Sequence, residues 1–266
     1  MGILNITPDS FSDGGQLYSS GGLEQDRLLR QAEEMVIAGA GFLDVGGEST
    51  RPGAMPVSED KELARVIPAV ELLASRFDVP ISVDTSSPAV ISAAAASGAH
   101  LINDVRALSR PGALAAAAKT ALPVCIMHMS DEPGVMQQNP SYGDVVTEVK
   151  AYLKRRVEDL VAGGIERDKV VIDPGFGFGK NLAHNLALFR ALPELVAEGL
   201  PLLVGVSRKR MIGEMLERDN PKDRIAGSAA MALLAAQAGA RIIRVHDVVE
   251  TIDALRILAF VKGTQS

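Results

Sequence analysis

Eight times along this 266-residue chain, a short apolar run gives way to a longer segment with helical spacing. That alternation constrains the fold more than any other feature. The runs are Gly2-Ile-Leu, Gly41 to Val45, Pro80 to Thr85, Leu101 to Val105, Pro123 to His128, Val170 to Asp173, Leu202 to Val206 and Ile242 to His246. Each is too short for a helix and is apolar without strict alternation, as expected of a strand covered on both faces. The segments between them carry helical stripes. Leu28, Leu29, Ala32, Met35 and Val36 form one between Leu23 and Ile37, with Gly39 and Gly41 as its stop. After Ser58, an expected N-cap followed by Glu59 and Asp60, a second stripe runs through Leu63, Val66, Ile67, Val70 and Leu73. Further helices are predicted at Ala89 to Ala96, from about Gly112, about Asp144 to Ala162, Asn185 to Ala197, near Met211, Ile225 to Gln237, and Val248 to Phe260.

Strand–helix alternation of this kind predicts a parallel sheet wrapped in helices. Eight cycles in 266 residues fit a closed (β/α)8 TIM barrel, one domain spanning residues 1–266. An open doubly wound sheet is the alternative, but no GxGxxG follows the first strand. Apolar residues make up 47%, enough for a sizeable core, and the net charge of −6 argues against nucleic acid as a partner. The single cysteine, Cys125, lies in an apolar run and reads as a buried, inert thiol. No signal peptide, membrane-spanning run or lipidation motif is visible, so the chain is read as soluble and cytoplasmic, with no membrane partner.

Barrels of this type place their chemistry at the C-terminal ends of the strands. Here those ends deliver Asn5, then Glu48 to Arg51, Asp84, Asn103, Met127 and His128, Asp173, Ser207-Arg-Lys, and Arg244 with His246. One strand-end Asp is often only a helix cap, but so many polar groups on one rim are poorly explained that way. Asp84, Asn103 and Asp173 suit a ligand rich in N–H donors, such as a 2-amino-4-oxo pyrimidine ring. Arg51, Lys209, Arg244 and His246 suit an anion. Asn5 suits a hard cation such as Mg²⁺, which keeps most of its ligands as water and phosphate oxygens. A Schiff-base role for Lys209 stays open, although Arg208 and Arg210 beside it make anion binding as natural. His128 and His246 lie on different strands and form only a weak zinc signal. In DPGFGFGK, residues 173–180, alternate glycines allow close backbone approach. One of Phe176 and Phe178 is expected to face the ligand and the other the protein.

NITPDSFSDGG, GGESTRPG, SVDT, INDV, MHM, DPGFGFGK, SRK and RVHD occur in this order between residues 5 and 247. Together they resemble the dihydropteroate synthases, the folate-pathway family that sulfonamides inhibit. The resemblance implies a TIM barrel, usually homodimeric. It also implies condensation of 6-hydroxymethyl-7,8-dihydropterin diphosphate with 4-aminobenzoate, using Mg²⁺, to give 7,8-dihydropteroate and diphosphate. Carried over, it assigns Asp84, Asn103 and Asp173 to the pterin, with Met127 and Lys209 beside it. It gives Asn5, Arg244 and His246 to the diphosphate, Asn5 also to Mg²⁺, and Thr50, Arg51, Pro52, Phe178 and Ser207 to 4-aminobenzoate. Phe11 and Asp13 belong to the first of two expected mobile loops, about residues 7–22 and 47–57, and act in catalysis with Arg51 and Lys209. Family members usually carry a segment before the first strand that closes the barrel floor. Met1 here lies within that strand, so a trimmed chain or a differently covered floor is expected. A pterin-binding methyltransferase would share the acidic groups but would need neither Thr50-Arg51 nor SRK. A non-catalytic homologue should have lost Asn5, Asp13, Arg51, Lys209 and His246, all present here.

Overall fold

The computed structural model describes residues 1–7, 17–19, 22–49, 57–130 and 140–263. The apolar runs become strands β1 (Gly2–Asn5), β2 (Leu43–Gly46), β3 (Ile81–Asp84), β4 (Leu101–Asp104), β5 (Val124–Met127) and β6 (Val170–Asp173). They lie side by side in chain order in one parallel sheet. Strands β7 (Leu203–Val204) and β8 (Ile242–Ile243) form a parallel pair. Single bridges, Ile172 with Leu202 and Gly2 with Val245, join this pair to both edges of the larger sheet. The Ile3 N–H donates to the Val245 carbonyl at 3.0 Å, and the Val245 N–H to the Met1 carbonyl at 2.9 Å. The sheet therefore closes on itself as a TIM barrel.

Around it lie α1 (Gln25–Ala38), α2 (Glu59–Ala74), α3 (Pro88–Ala96), α4 (Ala113–Thr120), α5 (Val145–Ala162), α6 (Leu182–Arg190), α7 (Leu192–Val196), α8 (Arg210–Leu216), α9 (Ile225–Gln237) and α10 (Val248–Lys262). Ser58 does precede α2, and Glu59, Asp60 and Glu62 occupy its first turn, although the Ser58 side chain makes no capping bond. The single helix expected from Asn185 to Ala197 is divided at Ala191, just before Pro193, whose ring nitrogen has no hydrogen to donate. Inside the stretch expected as the first loop, Tyr18–Ser19 pairs antiparallel with Gly22–Leu23.

Period-2 geometry separates two cores. Outward residues such as Ile81, Val83, Ile102, Val124, Ile126, Val170 and Ile172 join the helices in the main cluster. Inward residues Leu101, Cys125, Val171 and Leu203 form a second cluster with Met1, Phe42 and Ile242 packed against it. This apolar plug fills the barrel directly below the rim.

Candidate active site

Moving two residues along each strand from that plug leads into the site. Leu101 leads to Asn103 and Val105, Cys125 to Met127, Val171 to Asp173, Leu203 to Gly205 and Ser207, and Ile242 to Arg244 and His246. With Ile3, Asp84, Phe178 and Lys209, these upper residues line one pocket at the rim. Asp84 and Asn103 are register partners on β3 and β4, and Met127 and Asp173 on β5 and β6. Their side chains therefore stand next to one another on the inner face. Asn5, half-buried, ends β1 in register with Gly46, which in turn pairs with Asp84. The structure thus gathers Asp84, Asn103, Met127, Asp173, Phe178, Ser207, Lys209, Arg244 and His246 around one cavity. Phe11, Asp13, Thr50, Arg51 and Pro52 lie outside the described residues, as does most of the two expected loops.

Carboxylates and cations interlock in the pocket. Arg244 donates from Nε to Asp44 at 2.6 Å and from Nη2 to Asp84 at 2.9 Å. Burial works against the guanidinium charge, but Asp44 and Asp84 outweigh it and raise its pKa further. Burial pushes the Asp84 carboxyl up to about 7; Arg244 pulls it back, while Asp44 adds to the rise. Burial likewise raises Asp173, against Lys209 and the Gly175 N–H, which donates to Oδ1 at 2.7 Å. Lys209 is lowered by burial to about 8, with Asp173 opposing that shift. Its ammonium donates to the Phe176 carbonyl and sits 4.4 Å from the Phe178 ring centroid, a cation–π arrangement. Ser207 Oγ is 3.1 Å from His246 Nδ1 and accepts from the His246 N–H at 3.2 Å.

The cations flanking Lys209 turn elsewhere. Arg208 forms a two-pronged pair with Asp247, Nε to Oδ2 at 3.0 Å and Nη2 to Oδ1 at 2.5 Å. Arg210 pairs with Glu214 on the exposed face of α8. Glu48 is buried against Arg106 at 3.1 Å and Arg110 at 3.8 Å, so it ties the end of β2 to the segment after β4. His128 is also turned inward: its Nδ1 lies 2.9 Å from Lys180 Nζ, and its ring stacks edge-on with Tyr152 at 4.9 Å. Burial, then Lys180, lower its pKa to about 3, so it is neutral and, among the described residues, belongs to no metal-ligating group.

The two phenylalanines of DPGFGFGK divide. Phe176 is 1% exposed and packs on Phe189 at 5.7 Å, whereas Phe178 lines the pocket. Gly175 has φ +71°, and a Cβ there would lie 1.9 Å from the His128 carbonyl oxygen. No other residue fits that contact.

Two groups escaped sequence reasoning. Asp44 is wholly buried, accepts from Ser82 Oγ at 2.5 Å and holds Arg244. Its signal was an acid inside the apolar run Gly41 to Val45, at inward parity. Lys180 ends DPGFGFGK, and its cationic side chain is only 3% exposed. A lysine closing a glycine-rich turn was the visible sign.

The family of pterin-binding enzymes matches residues 1–246. The dihydropteroate synthase of Escherichia coli K12 is 55% identical, over 97% of this chain and 89% of its own length. That of Haemophilus influenzae is 52% identical, over 97% of this chain and 91% of its own. Among solved structures, a Yersinia pestis dihydropteroate synthase with a sulfonamide drug complex aligns at TM-score 0.95 and 55% identity, covering 99% of this chain and 94% of that one. The Xanthomonas albilineans dihydropteroate synthase in complex with 7,8-dihydropteroate aligns at TM-score 0.88 and 45% identity, covering 100% of this chain and 94% of that one.

Proposed function

Because the chain belongs to the pterin-binding enzyme family, and within it to the dihydropteroate synthases, we propose that its strand-end pocket joins a dihydropterin to 4-aminobenzoate as follows. The enzyme is a transferase of folate biosynthesis. The observation that carries the residue assignments is the convergence of Asp84, Asn103 and Asp173 with Lys209 and Arg244 on one cavity. The three acceptors match the N–H edge of a pterin. Met127 supplies an apolar contact beside the ring.

At the pterin methylene the C–O bond to diphosphate breaks, and the electron pair leaves with the diphosphate. The methylene carbon is left electron-poor. Asp13 stabilises that charge electrostatically, and the lone pair of the 4-aminobenzoate nitrogen then forms the C–N bond. The nitrogen afterwards releases a proton, so no strong general base is required. His246 and Arg244 face the departing diphosphate. Arg244 also carries Asp44 and Asp84, so part of its charge is already compensated. Thr50, Arg51, Pro52, Phe178 and Ser207 hold 4-aminobenzoate, and Phe11 helps exclude water that would capture the carbon.

Asn5, half-buried at the rim end of β1, offers an amide oxygen that fits an ion drawing its other ligands from substrate and solvent. Mg²⁺ bound by Asn5 would neutralise charge on the diphosphate.

The reading includes a homodimer. Ile257, Phe260 and Val261 stand at i, i+3 and i+4 on α10 and are 61%, 85% and 80% exposed, an apolar stripe suited to a second copy. It also includes a cytoplasmic location; among the described residues no helix is long and apolar enough to cross a membrane.

Incubating the protein with both substrates and Mg²⁺ tests the assignment by mass. A product of dihydropteroate mass is expected, and its absence would refute the reading.

A further inference from the structure

The sequence alone leaves Lys180 without a role, and its surroundings supply one. Its Nζ is buried and lies 2.9 Å from the Gly175 carbonyl oxygen, 3.0 Å from that of Phe178, 2.9 Å from His128 Nδ1 and 3.3 Å from the His128 carbonyl oxygen. The turn that presents these carbonyls is built with φ +71° at Gly175, +78° at Gly177 and +64° at Gly179. Left-handed residues at alternate positions turn the Gly175 and Phe178 carbonyls toward Lys180, while the Phe176 carbonyl between them accepts from Lys209. Three close acceptors need three N–H donors, and an ammonium has three.

We propose that Lys180 is a positioning residue for the pterin site, an internal cation that fixes the Gly175–Gly179 turn and thereby sets the places of Asp173 and Phe178. Two short chains of contact carry the effect. In the first, Lys180 holds the Gly175 carbonyl while the Gly175 N–H donates to Asp173 Oδ1 at 2.7 Å. In the second, Lys180 holds the Phe178 carbonyl, and the ring of that residue lies under Lys209. The turn is held from the other side as well. Asn185 accepts from the Gly177 N–H at 2.8 Å and donates to the Lys180 carbonyl at 3.1 Å, and Tyr142 donates to the Gly179 carbonyl at 3.0 Å.

Because Lys180 Nζ can only donate when charged, His128 Nδ1 must be the acceptor and the ring proton sits on Nε2. The neutral imidazole therefore acts as one wall of the cation's cage. Burial pulls the Lys180 pKa down to about 7, and the Asp173 carboxylate opposes that pull, so the buried cation and the pterin-binding acid support each other's charge.

The inference rests on the pterin assignment above. Its test is Lys180→Met, which keeps chain length and removes the charge. On the folded variant, calorimetry with the dihydropterin diphosphate should give a dissociation constant raised by about tenfold or more, the loss of a buried charge-assisted contact. Turnover at saturating substrate should stay within about threefold, because Lys180 touches no reacting atom. A merely structural lysine would lower thermal stability and leave the affinity of the folded protein within about twofold of the parent, which would overturn the inference. If Lys180→Met does not fold, His128→Phe decides. It keeps a ring against Tyr152, removes Nδ1, and should weaken pterin binding by about threefold or more; unchanged affinity would overturn the proposal. A parent protein that binds no pterin would overturn the underlying assignment, and the inference with it.

Discussion

Arg244 Nη2 lies 2.9 Å from Asp84 Oδ2, so the carboxylate assigned to the pterin already has an internal partner. The same guanidinium donates to Asp44 at 2.6 Å, and Asp44 in turn accepts from Ser82 at 2.5 Å. Asp84 is thus held by a buried chain while it lines the cavity. Two acids around one guanidinium also let Arg244 keep a full partner if the other acid is removed.

Asp84→Ala should therefore leave Arg244 anchored on Asp44 and the barrel folded. Pterin affinity should fall by about 10- to 100-fold, the worth of one or two hydrogen bonds to a charged acceptor. Calorimetric titration with the dihydropterin diphosphate checks this. A variant that binds as tightly as the parent would remove Asp84 from the pterin site.

Asp13→Asn separates binding from chemistry. Asp13 is assigned to charge that exists only as the C–O bond breaks, so turnover should drop far more than pterin affinity, by about 100-fold against less than about threefold. Steady-state kinetics alongside direct pterin binding measures both. Equal losses would mean that Asp13 contributes to ground-state binding.

Lys180 and Lys209 make a signed prediction about pH. Lys180 falls to about 7 and Lys209 to about 8 from an ordinary value of 10.5. Between the folded and unfolded values, the unfolded chain holds more protons, so these groups make stability rise with pH across that window. Asp84 acts oppositely in a lower window. Raised from 3.8 to about 7, it holds more protons when folded, and its contribution declines as pH climbs through that interval. Urea midpoints taken near pH 7 and near pH 9 should show a larger gain for the parent than for Lys180→Met. Equal gains would mean that Lys180 does not titrate as its burial implies.

Much of this architecture was legible in the sequence because barrel strands obey a simple periodicity. Val170 to Asp173 emerged with the expected bounds, and the inward parity that carries Val171 to Asp173 and Leu101 to Asn103 follows from the same pattern. The break at Ala191 is hidden in the sequence, because a stripe of apolar residues conceals the missing N–H of Pro193. What side chains do when they turn away from the cavity was less legible. Arg208 beside Lys209 supports an anion-binding reading of that lysine, yet Arg208 itself pairs with Asp247, 39 residues away in the chain. His128 at a strand end reads as a site residue, yet Lys180, 52 positions further on, draws it into the protein. Such partners are set by tertiary packing rather than by local spacing. Asp44 shows the converse: an acid in an apolar strand is costly unless paired, and its partner Arg244 stands 200 residues later.

Asp173 offers the sharpest check on the proposal that strand-end acceptors hold the pterin, because it is buried, close to Lys209, and backed by the Gly175 N–H. Calorimetry of the parent and of folded Asp173→Ala with the dihydropterin diphosphate compares them. The parent should bind, and the variant, which would bury the ligand's donors unpaired, should lose about 100-fold or more in affinity. Affinity in Asp173→Ala within about threefold of the parent would contradict it.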